Sequence, residues 1–145
     1  MKYLLLSFAV FFVSCFEPQK NEKFVSTEKP ILSEAESILE EIELIEKNAI
    51  SLRQRFEIDN VQPDPSPVEN LDIIKGQEKL LKSYVIEAKQ AYRLVRDAIS
   101  ALNFAGEDAK KAKEAEERAI RGRDQLIEIK TRAQKALDII KNSVK

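Results

Sequence analysis

Three stretches of this chain repeat an apolar or small residue at alternating steps of three and four, a spacing that commits each stretch to an amphipathic helix. The first runs Ala35, Ile38, Ile42, Ile45, Ala49, Leu52 and Phe56. The second runs Ile74, Gln77, Leu81, Tyr84, Ala88, Ala91, Val95, Ala98 and Leu102, and the third Ala112, Ala115, Ala119, Gly122, Leu126, Ile129, Ala133, Ala136 and Ile140. An α-helix turns once in 3.6 residues, so positions spaced this way line one face, whereas a strand would scatter them over both. Heptad seams of this length demand partner helices to cover them.

The second and third seams are related by reflection. Folding the chain about Ala105 pairs Ala98 with Ala112, Val95 with Ala115, Ala91 with Ala119, Ala88 with Gly122, Tyr84 with Leu126 and Leu81 with Ile129. Local chemistry points to the same turn. Gly106 can take the left-handed conformation that ends a helix, and Glu107 and Asp108 place negative charge at the start of the next. A single continuous helix would instead set Glu116, Arg123 and Lys130 on the apolar seam. Small residues gather near the turn, so the two backbones are expected to approach closely there.

The first helix is expected to start at Ser33, with Glu36 completing a reciprocal capping box. It ends before a connection over Asp59 to Pro67, where Pro63, Pro65 and Pro67 forbid continued helix. Packed along the hairpin, it would cover a stripe including Ile73, Leu80, Tyr92 and Ile99. With 34% charged residues, 43% hydrophobic residues and three glycines, the composition suits long helices with narrow apolar seams. The expected fold is all-α: an elongated three-helix bundle over 33–145, its first helix packed on a long antiparallel hairpin turning near Ala105.

The N-terminal region has a different character. Lys2 is followed by eleven mostly apolar residues, Tyr3 to Val13, and by Ser14 and the single cysteine, Cys15. About 20 apolar residues are needed to span a bilayer, so this run is too short. It reads as a lipoprotein signal over 1–14, removed ahead of a Cys15 that receives lipid. Phe12, three before the cysteine, relaxes the usual aliphatic preference. Residues 15–32 carry Pro18 and Pro30 without periodicity and read as the lipidated cysteine and a flexible tether.

Catalytic chemistry is hard to assemble from what remains. The chain has no histidine and one cysteine, and that thiol is committed to lipid. Gly76, Gly106 and Gly122 are scattered and form no phosphate loop. Neighbouring carboxylates such as Glu40 and Glu41, or Glu116 and Glu117, point apart on a helix. No metal site, cofactor or catalytic residue is therefore expected, and the chain does not read as an enzyme. With 24 basic and 25 acidic side chains, it also lacks the charge of a nucleic-acid binder.

The Phe-Phe-Val-Ser-Cys signal, the polar tether and a Lys/Glu/Ile-rich helical body, as in Leu-Ser-Glu-Ala-Glu-Ser-Ile-Leu-Glu-Glu-Ile-Glu-Leu-Ile-Glu-Lys, resemble the small outer-surface lipoproteins of Borrelia-type spirochaetes. The resemblance implies an outer-membrane, lipid-anchored protein at the cell surface. It further implies binding of host components, such as complement regulators, plasminogen or matrix molecules, and assigns no ligand-binding residue. From the residues themselves, Lys110, Lys111, Lys113, Arg118, Arg121 and Arg123 offer an anionic partner such as a glycosaminoglycan a basic stretch. Glu107, Asp108, Glu114, Glu116 and Glu117 interleave with it and favour a solvated mixed-charge face. Tyr92 and Phe104 are candidate anchors for a host protein. The competing expectation is a periplasmic or envelope structural coiled-coil lipoprotein, and both a monomer and a homodimer fit the seams.

Overall fold

A computed structural model describes residues 22–59 and 66–144, so the signal, Cys15 and the tether up to Asn21 lie outside the described residues. Three helices, α1 (Glu22–Asp59), α2 (Ser66–Phe104) and α3 (Ala109–Ser143), form an all-α bundle. Each helix packs on both others, with α2 and α3 sharing the most extensive contact.

The seams form the core. All nine seam residues of α3 are buried, as are Ile74, Leu81, Ala88, Ala91, Val95, Ala98 and Leu102 of α2 and Ala35, Ile38, Ile42, Ile45 and Ala49 of α1. Gln77, Tyr84, Leu52 and Phe56 are half-buried. Ion pairs fix the relative directions. Arg53 with Glu78 and Glu43 with Lys89 set α1 antiparallel to α2, while Glu34 with Arg123 and Glu41 with Lys130 set it parallel to α3.

The turn falls near Ala105, as the reflected seams require. Gly106 sits at φ +57°, the left-handed region a side chain disfavours. The Ala105 N–H donates to the Leu102 carbonyl at 3.2 Å, and the Asp108 N–H to that of Ala105 at 3.0 Å. Asp108 then caps α3, its carboxylate accepting from the Lys111 N–H at 3.1 Å. That hydrogen bond, with the Lys111 ammonium, holds the Asp108 carboxyl below its usual pKa.

Three expectations need correcting. First, α1 starts at Glu22 instead of Ser33, so Ser33 is not its cap and the part of the tether from residue 22 onward is helical. Ile31, 5% exposed, extends the seam one step before Ala35. A helix that buries Ile31 continues through Pro30 despite the N–H bond proline withholds.

Second, the stripe that α1 covers is Glu78, Val85, Tyr92 and Ile99, spaced by seven, and all four are buried or half-buried. Ile73 and Leu80, grouped with Tyr92 and Ile99 in the sequence, belong to a different stripe and remain 46% and 44% exposed. Twelve residues separate Leu80 from Tyr92, which turns the helix about 120° away from the shared face.

Third, the hairpin register is shifted by about one turn from a fold centred on Ala105. Gly122 does not face Ala88. A Cβ built on Gly122 would lie 2.7 Å from Val95 Cγ2 and 3.4 Å from both the Ala91 carbonyl oxygen and the Val95 nitrogen. The two-residue-wide turn after Ala105 moves the centre of the hairpin past Gly106 and shifts the pairing with it.

Candidate functional site

Among the described residues, several large apolar side chains stay outside the core. On the side of the hairpin away from α1, the α2 positions Ile73, Leu80, Glu87 and Leu94 recur every seven residues and line one edge of the α2–α3 groove. Leu94 is 58% exposed. Arg132 of α3 closes the middle of this groove, pairing with Glu87 at 2.8 Å and lying 4.9 Å over the Tyr84 ring. Toward the turn, Leu94, Asp97, Ala98, Arg118, Arg121 and Gln125 bound a cavity of about 430 Å³. Apolar carbon and guanidinium therefore stand side by side, a combination suited to gripping another polypeptide.

A second and larger groove, of about 840 Å³, runs between α1 and α3. Ile38 and Ile127 supply its apolar lining, Ser33, Ser37 and Thr131 its hydroxyls, and the Glu41–Lys130 pair, at 2.5 Å, crosses it. The charges here neutralise each other across the groove. Among the described residues there is no cluster of potential metal ligands, and no helix is long and apolar enough to cross a membrane.

The structure disperses the basic stretch of α3. Lys111 pairs with Asp108, Arg121 with Glu117, and the Arg118 Nε–H donates to the Glu114 carbonyl. Arg123 is turned toward α1, paired with Asp124 at 2.7 Å and Glu34 at 3.4 Å. Its guanidinium is held in its charged form, first by the hydrogen bond to Asp124. The six cations thus do not converge on one face, and their surface carries mixed charge. Tyr92 is half-buried against the core, whereas Phe104, the last residue of α2, is 88% exposed.

One polar group escaped the sequence reading altogether. Glu78 is 7% exposed beneath α1, where Arg53 Nε donates to it at 2.6 Å and Lys82 Nζ approaches it at 2.9 Å. Arg53 also holds Glu57 at 2.5 Å. Burial alone would raise the Glu78 pKa, but the hydrogen bonds from Lys82 and Arg53 outweigh it and the carboxyl titrates below its ordinary value. No buried side-chain polar atom among the described residues lacks a partner. The network therefore ties α1 to α2.

No protein-family model, curated protein or solved structure matches this chain.

Proposed function

We propose that this chain is a lipid-anchored, surface-exposed interaction protein that binds a host or environmental macromolecule, with the α2–α3 groove as its contact surface. The observation that carries the reading is the exposed stripe of Ile73, Leu80 and Leu94. The three helices already bury their seams in one another, so the fold does not require apolar side chains at these positions. Water-exposed Leu and Ile in a line, flanked by Arg118, Arg121 and Arg132, have the mixture of apolar area and guanidinium found at protein contacts. Dispersal of the basic stretch makes a protein a better fit than a glycosaminoglycan. The resemblance of signal and helical body to spirochaete surface lipoproteins supports the cell-surface placement.

Binding to candidate host proteins, measured by surface plasmon resonance with the chain from Cys15 onward, tests the groove. Leu80→Lys with Leu94→Lys is expected to weaken binding at least tenfold while leaving the melting temperature within a few degrees, because both residues are exposed. Undiminished binding by this double variant would move the contact elsewhere.

A further inference from the structure

We infer that the hairpin-turn end of the bundle rests on the lipid surface, with Phe104 as its contact, and that the opposite end is presented outward. The inference builds on the proposed lipid anchor at Cys15 and adds to it an orientation. Glu34 pairs with Arg123 and Glu41 with Lys130, so α1 and α3 run in parallel with one constant offset. Carried back along α1, the same offset brings Glu22 level with Lys111, in the first turn of α3.

Cys15 stands seven residues before Glu22, and seven peptide steps reach at most about 25 Å. The 35 residues of α3 extend about 52 Å. A lipid on Cys15 therefore reaches the turn and falls short of the end that carries Asp59, Ser66 and Ser143. A bend at Pro30 would displace only the eight residues Glu22 to Lys29, about 12 Å of helix, and would not exchange the ends.

The turn is built to bear such a contact. Gly106 and the two backbone hydrogen bonds beside it hold the tip in one conformation, and Asp108 caps α3 directly below. Phe104, 88% exposed, projects from this tip although no packing need keeps an aromatic ring there. Lys110, Lys111 and Lys113 follow the turn, exposed in the first turns of α3, and Glu107 and Asp108 offset most of their charge. Phenylalanine is among the side chains that bury at the headgroup–acyl boundary of a bilayer, and tethering makes even a weak contact effectively intramolecular. The contact is thus apolar more than electrostatic.

The chain has no tryptophan and one cysteine, which permits a direct test. The chain from Cys15 onward, which includes all three helices, is coupled through Cys15 to maleimide lipid in phosphatidylcholine vesicles containing brominated acyl chains. Phe104→Trp is expected to show fluorescence quenching several-fold greater than Ile58→Trp, whose site is 70% exposed at the far end of α1. Equal quenching of the two reporters, stronger quenching of Ile58→Trp, or none at either would overturn the orientation. The anchor is tested separately in lipidating cells by detergent-phase partition. Wild type is expected in the detergent phase, and Cys15→Ala lacking residues 1–14 in the aqueous phase. An aqueous wild type would overturn the anchor, and the inference with it, whatever the vesicles show.

Discussion

Gly122 and Gly76 both lie in long helices, and the same substitution is expected to move stability in opposite directions at the two sites. Alanine gains about 1 kcal/mol over glycine in a helix interior. At Gly76 a new Cβ meets nothing within 4 Å, so Gly76→Ala should stabilise by about 0.5 to 1 kcal/mol. At Gly122 the new Cβ would approach Val95 Cγ2 to 2.7 Å, and Val95 is fully buried. Valine in a helix has essentially one rotamer, so it cannot swing aside. Relief requires α2 and α3 to part, and overpacking of this kind costs about 1 to 3 kcal/mol.

The net expectation for Gly122→Ala is a loss of about 0 to 2 kcal/mol, and Gly122→Leu should lose more. Urea denaturation of each variant measures the difference. Removing the obstructing methyls gives a sharper check: in a Val95→Ala background, Gly122→Ala should become neutral or stabilising. If Gly122→Ala stabilises as much as Gly76→Ala in the wild-type background, the close approach of the two helices is refuted.

Two further perturbations address the turn and the buried carboxylate. Gly106→Ala places a side chain at φ +57° and should cost about 1 to 2 kcal/mol, measured by the same denaturation; an unchanged midpoint would contradict the turn geometry. Glu78 has a folded pKa below its ordinary 4.5, so its contribution is complete above that unfolded value and is lost as pH falls through the folded one. Glu78→Gln should therefore be less stable than wild type at neutral pH and lose less on acidification below about pH 4.5. Parallel acid-stability curves would contradict the pairing with Arg53 and Lys82.

The hairpin was the most legible part of the sequence because its seams, its glycine and its acidic cap agree. Steps of three and four identified nine of the ten buried residues of α3 directly, missing only Leu137, and Gly106 with Asp108 located the turn. Reflection alone could not fix the register, since any two heptad patterns match by chance in about one register of seven. Only the packing of Gly122 against Val95 does that.

The start of α1 was obscured by Pro30, whose local preference outweighed a seam that Ile31 already continues. Glu78 read as solvated charge because a carboxylate announces nothing about its partners; its burial depends on Arg53, 25 residues away. The exposed α2 stripe was hidden for a related reason. Ile73 and Leu80 look like core residues until α1 is seen to cover the other side of α2.

Protease treatment of intact cells tests the proposed function most directly. A lipid-anchored interaction protein on the outer surface is expected to be removed by added protease while a periplasmic control survives. Full protection of the protein, with the same protein digested once the outer membrane is opened, would contradict the surface-binding account and favour a periplasmic structural lipoprotein.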